Sequence, residues 1–210
     1  MRLNERTASA VRRLFSRMVA DVRLYYFASS EDTPYQRVTR EVLKALSELS
    51  DKLHLVEADE ASPLASRYGV DKFPAILVHG VEEYNIRYFG APLGHEFGVL
   101  VRTIVDASRG EVELPPDVVS AISKVGERVH VQVFVTPTCP YCSLAARAAF
   151  MYAIVNLNIV ADVIEAAEFP ELADRYSVYA VPKVVINDRV EFEGAVPHEV
   201  FVERILEAVS

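Results

Sequence analysis

The chain has 210 residues, of which 51% are hydrophobic and 25% charged, enough for one large domain or two small ones with packed cores. Its 30 acidic and 22 basic residues give a net charge of −8, with no basic cluster to track phosphates, which argues against nucleic acid as a partner. Residues 1–22 mix arginines and acids through their apolar positions, and no run approaches a membrane span; neither a secretory leader nor a membrane is expected, and the predicted location is cytoplasmic.

In chain order, an amphipathic helix is predicted over residues 5–19, followed by a β-branched and aromatic strand at 23–28 (RLYYFA) and a helix at 35–49. A strand at 53–57, a short helical segment around 64–70, two strands in quick succession at 75–79 and 84–89, and a helix after His95 complete a first unit. Residues 108–116 (SRGEVELPP) are polar and end in two prolines, so the boundary is expected there, with domains 1–114 and 115–210. A helix from Pro115-Pro116-Asp117 then leads into a strand at 130–136, a helix at 140–156, strands at 159–165, 183–186 and 190–192, and a helix after His198.

The second series repeats the first. Leu64-Ala65-Ser66-Arg67-Tyr68-Gly69-Val70 matches Leu172-Ala173-Asp174-Arg175-Tyr176-Ser177-Val178, and Pro74 matches Pro182 at the same offset of 108 residues. Thr33-Pro34-Tyr35-Gln36 matches Cys139-Pro140-Tyr141-Cys142, and His95-Glu96 matches His198-Glu199. Two long copies mean two homologous domains, not a solenoid. A βαβ half followed by a ββα half gives the predicted α/β class, two tandem thioredoxin-like domains, each a central mixed sheet flanked by helices.

The only two cysteines are Cys139 and Cys142. Two are too few for a secreted disulfide framework. Cys139 falls between a strand and a helix start, where unpaired N–H groups and the helix dipole stabilise a thiolate; it is the expected nucleophile, with Cys142, one turn further in, as the resolving thiol. Pro140 suits the first helical turn, and Tyr141 either contacts substrate or shields the dithiol. Val181-Pro182, before a strand, suits a cis bond facing the dithiol and leaves the Val181 backbone free to pair with an extended substrate. Residues 131–135 contain no acid, so Glu165 is the nearest candidate for proton transfer; its counterpart Glu57 leaves open that both are features of the fold.

Zinc needs four ligands, and only His130 lies near, within a strand. Haem attachment needs His where Ser143 stands. The predicted cofactor set is therefore none beyond the redox-active Cys139–Cys142 pair, with no metal. Thr33 and Gln36 replace the cysteines in the first unit and cannot exchange disulfides; Thr33 can cap a helix from Pro34. Arg67-Tyr68 and Arg175-Tyr176 are expected to pack, and His95 and His198 to be exposed near helix starts. The ratio of 17 Arg to 5 Lys, without Trp, hints at a thermophile.

On the repeat, the run Val133 to Cys142, residues 46–53 (LSELSDKL), and Val190 to Ala195 (VEFEGA), the chain resembles the archaeal protein disulfide oxidoreductases, glutaredoxin-like proteins of hyperthermophiles. That resemblance implies two thioredoxin folds and a protein-disulfide oxidoreductase. Its C-terminal centre falls on Cys139 and Cys142, its substrate-facing proline on Pro182, and its N-terminal centre on the degenerate pair Thr33 and Gln36. A first fold without cysteines before an active second one also resembles the N-terminal module of the bacterial flavoprotein that reduces peroxiredoxins. This implies an alternative, an electron relay between a thioredoxin-reductase-like flavoprotein and a peroxiredoxin; with no flavin fingerprint in this chain, that reductase would be separate. A third expectation is a chaperone-like module holding extended peptides at Phe73-Pro74.

Overall fold

The computed structural model describes residues 3–31 and 33–210. Helix α1 (Glu5–Phe15) is capped by Asn4, whose side chain accepts the Thr7 N–H at 2.9 Å, and buries Ala8, Val11 and Phe15 along one stripe. It ends four residues before the predicted 19. The N–H groups of Val19 and Ala20 donate to Ser108, to its Oγ at 3.3 Å and its carbonyl at 3.1 Å, which pulls the chain off the helix axis and into the first strand.

The first half continues with β1 (Val22–Ala28), α2 (Pro34–Ser47), β2 (Leu53–Asp59), α3 (Pro63–Arg67), β3 (Ala75–His79), β4 (Ile86–Phe89) and α4 (His95–Arg109). Gly110, left-handed at φ +66°, stops α4. Then come α5 (Pro116–Ser123), β5 (Val129–Val135), α6 (Pro140–Val155), β6 (Ile159–Glu165), α7 (Pro170–Arg175), β7 (Lys183–Ile186), β8 (Val190–Glu193) and α8 (His198–Glu207).

In the first half β1 pairs parallel with β2 and antiparallel with β3, which pairs antiparallel with β4. The second half repeats this with β5, β6, β7 and β8. The two mixed sheets are continuous: β4 pairs parallel with β6, from Ile86↔Ala161 to Phe89↔Ile164, giving one eight-stranded sheet in the order β2-β1-β3-β4-β6-β5-β7-β8. The fold is therefore α/β with tandem thioredoxin-like units. Because β1, β4, β6 and β5 all run the same way, both strand-to-helix turns, β1–α2 and β5–α6, open at one end of the molecule.

Helices cover both faces, so β3, β4 and β6 are buried along their whole length. The larger core packs α1, α2, α4, α5, α6 and α8 on one face and runs through both halves; the short α3 and α7 cover the other. At the β4–β6 joint a buried polar cluster ties the halves together. Arg87 makes a bidentate pair with the fully buried Asp162 at 2.6 and 2.8 Å and donates to the Gly69 carbonyl at 2.6 Å, while His130 Nε2 lies 2.8 Å from Asp162. Burial alone would push the Asp162 carboxyl up, but the hydrogen bonds and charges of His130 and Arg87 outweigh it and hold it below the usual range. Among the described residues no helix is long and apolar enough to cross a membrane.

Candidate active site

Strand β5 is an uninterrupted run of β-branched and aromatic residues except for His130 and Gln132, and it ends where Thr136, Pro137 and Thr138 turn the chain. Cys139 then takes the N-cap position of α6, with Pro140 in the first turn, where a missing N–H costs nothing. The Cys142 N–H donates to the Cys139 Sγ at 3.2 Å, and the Cys139 thiol donates to the Val181 carbonyl at 3.5 Å. Cys139 is half-buried and Cys142 fully buried. Burial first, then the hydrogen bond with Cys139, pushes the Cys142 thiol well above its ordinary value. One sulfur can be reached from outside and the other cannot, as a nucleophile and a resolving thiol require.

Val181-Pro182 is a cis peptide, and the Pro182 carbonyl accepts the Gly194 N–H at 2.8 Å. The Val181 N–H pairs with nothing among the described residues. Tyr141 (64% exposed) and Leu144 stand on the first turns of α6, and Tyr179 (92% exposed) stands on the loop that carries Val181. Large exposed apolar side chains thus stand on both elements that carry the reacting groups.

The structure adds an acid that the amino-acid pattern did not single out. Glu96 is fully buried, both carboxylate oxygens lack a hydrogen-bond partner among the described residues, and burial pushes its pKa up to about 7. Its charge acts on Cys142 and on the buried Tyr88. It arrives there because α4 starts against the cysteine loop: the His95 N–H donates to the Pro137 carbonyl at 3.1 Å, and Gly94, at φ +57°, lies so close that a Cβ would meet that oxygen at 2.2 Å. The sequence offered one signal, an acid at a helix start. Its counterpart Glu199 carries the same signal yet is exposed. Burial of Glu96 comes from the packing of α4 on α6, between the halves.

Glu165 is also buried at the end of β6, with its carboxyl raised by burial. Its Oε2 accepts the Glu168 N–H at 2.7 Å, while Oε1 has no partner among the described residues. The Glu165 charge acts on Tyr88 and Glu168, and Glu168 Oε1 accepts the Ala91 N–H at 2.6 Å. Glu165 thus sits at the seam with residues 90–96, and the Glu96 carboxyl is one whose charge acts on Cys142. Its counterpart Glu57 pairs with Arg40 and Lys44 at 3.0 Å each.

In the first half, Thr33 caps α2 by accepting the Gln36 N–H at 3.2 Å. Gln36 is buried, accepts the Ser29 N–H at 2.9 Å and donates to the Glu31 carbonyl. Phe73-Pro74 is cis, and the Pro74 carbonyl accepts the Gly90 N–H at 3.1 Å. Arg67 and Arg175 stack on Tyr68 and Tyr176 as packing groups. His95 is exposed as expected; His198 is not, because its half-buried Nδ1 lies 2.7 Å from the Tyr152 hydroxyl.

A thioredoxin-domain family model matches residues 129–207. The chain is 26% identical to the F subunit of alkyl hydroperoxide reductase from Staphylococcus aureus (strain MRSA252) over 186 residues, covering 88% of this chain and 34% of that protein. It is 29% identical to an NADH dehydrogenase of Bacillus subtilis (strain 168) over 143 residues, covering 65% of this chain and 28% of that protein. It thus spans only about a third of the length of these curated relatives. Among solved structures, a protein disulfide oxidoreductase from Aeropyrum pernix superposes with a TM-score of 0.88 at 28% identity, covering 98% of this chain and 93% of that one. The alkylhydroperoxide reductase AhpF of Enterococcus faecalis (V583) superposes with a TM-score of 0.90 over 98% of this chain and all of that one; at 21% identity this likeness shows the fold alone. In sequence and fold the chain is thus similar to AhpF and to a protein disulfide oxidoreductase, and a thioredoxin-domain model matches most of its second half.

Proposed function

We propose that the chain exchanges thiols and disulfides with protein substrates through one centre, Cys139 and Cys142. The observation that carries this is the asymmetric pair at a helix start: a reachable Sγ at the N-cap beside the Val181 carbonyl, and a buried thiol one turn behind it. In the reducing direction the Cys139 thiolate attacks a substrate sulfur, the substrate S–S bond breaks, and the released substrate thiolate takes up a proton. Cys142 then gives its proton to the Glu96 carboxylate and attacks the Cys139 sulfur; the Cys139–substrate S–S bond breaks, and the second substrate thiolate leaves and takes up a proton from solvent. The dithiol has become a disulfide and the substrate disulfide two thiols. A buried thiol held well above its ordinary pKa needs a nearby base, and a carboxyl poised at about 7 can take and return that proton.

A second reading, favoured by the match to AhpF over 88% of the chain, is an electron relay between a flavin-dependent disulfide reductase and a peroxiredoxin. In it the same dithiol is reduced by one protein and oxidised by the other, without a change in the chemistry above. We expect Cys139→Ser to abolish insulin disulfide reduction, measured by turbidity; turnover at the wild-type level would overturn the proposal. Saturable exchange with a flavoprotein reductase and a peroxiredoxin, with only slow insulin reduction, would select the relay.

A further inference from the structure

The first half has lost the sulfurs but kept the setting. Across Thr33-Pro34-Tyr35-Gln36 the side chains run half-buried, exposed, exposed, buried, the same sequence as across Cys139-Pro140-Tyr141-Cys142. Tyr35 is 55% exposed where Tyr141 is 64%. Phe73 and Pro74 copy the half-buried and buried states of Val181 and Pro182, and both prolyl carbonyls accept a glycine N–H. Neither the N–H nor the C=O of Phe73 pairs with any described residue.

The topology places the two copies side by side. Strands β3 and β7, which Phe73-Pro74 and Val181-Pro182 precede, start at the same end of one sheet and are four strand spacings apart, roughly 19 Å. An extended chain covers that distance with about six residues, somewhat more where the sheet's twist curves the path.

Resting on the reading of Cys139 as a protein-disulfide centre, we infer that the first half is a second grip on the same substrate: an extended polypeptide segment, paired through its main chain with Phe73 and contacted by Tyr35. The unpaired backbone of Phe73 precedes β3, whose first residue Ala75 pairs with Phe27 near the end of β1, and Tyr35 stands on the helix that follows β1; unpaired backbone groups and an exposed aromatic ring at one end of a sheet suit an extended chain of little sequence preference. The Gln36 side chain, turned inward onto Ser29 and Glu31, does not project from the helix start and offers nothing to react. The substrate class that follows is unfolded or loop-presented polypeptide with at least about six ordered residues to one side of its cysteine.

The test measures binding without thiol exchange, so its failure is distinct from a failure of Cys139 chemistry. A fluorescent peptide of about thirty residues, with serine in place of a central cysteine, is titrated against the full chain, and a peptide of about five residues around the same serine serves as the short control. The expected result is that the long peptide at saturation slows amide exchange at both Phe73 and Val181. Tyr35→Ala should weaken its binding about five- to tenfold, Tyr35→Phe should restore it, and the short peptide should bind weakly to all three proteins. A Phe73 amide that exchanges freely at saturation, or long-peptide binding unchanged in Tyr35→Ala, would overturn the inference.

Discussion

Glu96 is the residue on which the most physical chemistry converges. Its carboxyl is raised from the usual carboxylate range to about 7 by burial, with no hydrogen-bond partner among the described residues. A raised folded-state value means that the neutral acid is the form the fold favours, so the stability tied to this group is complete below pH 4.5 and is lost as pH rises through about 7. Glu96→Gln, neutral throughout, should therefore gain on the wild type between pH 5 and pH 8, by up to about 3 kcal/mol. Urea denaturation at the two pH values checks this; a difference that does not change with pH would mean that the carboxyl is not buried as described. The same variant should form the first mixed disulfide at the normal rate and resolve it more slowly. Glu96 was not legible in the sequence because its exposed twin Glu199 has the same local context. The cysteines were legible because strand, cysteine, proline and helix follow one another within a few residues.

At the scale of elements, the first half holds the reactive loop of the second. The start of α4 meets that loop through the His95 N–H and the Pro137 carbonyl, and Gly94 has the space and the left-handed φ for the approach. Any side chain there must push Pro137 away and take a strained backbone. Gly94→Ala should destabilise the protein by about 2–3 kcal/mol and slow disulfide exchange several-fold, whereas Gly98→Ala, inside the same helix with open space at its Cβ, should raise stability by about 0.5–1 kcal/mol and leave exchange unchanged. Thermal denaturation with an exchange assay compares the two; equal effects would mean that the contact with Pro137 is not what matters. Sequence periodicity located α2, α6 and the paired strands to within one or two residues, since strong apolar patterns and prolines punctuate them. It overran α1, because the stop is a tertiary event, capture of residues 19 and 20 by Ser108.

Across the whole molecule, one sheet and one large core run through both repeats. Two copies of a motif were readable from matched residues at offsets of 103 to 108; their fusion edge to edge was not, because β4 and β6 carry no sequence mark of pairing with each other. What fixes the joint chemically is Arg87 on Asp162. Removing Arg87 leaves the buried Asp162 with His130 at 2.8 Å and Lys72 at 3.7 Å as its remaining partners, so Arg87→Met should cost about 3 kcal/mol at neutral pH, the low end for a broken buried pair. Asp162 has a depressed folded-state value, so its contribution is present above the ordinary 3.8 and is lost as pH falls below it. The gap between variant and wild type should therefore narrow in acid. Denaturant titrations at pH 7 and pH 3 would show this, and a constant gap would contradict the ion-pair account.

The claim on which the rest depends is that Cys139 attacks and Cys142 resolves. Mass spectrometry of Cys142→Ser after incubation with a disulfide-bonded protein tests it directly. The account predicts a stable mixed disulfide mapped to Cys139, and no such adduct when Cys139→Ser is treated in the same way. An adduct on Cys142 in the Cys139→Ser chain, formed as readily as the first, would contradict it.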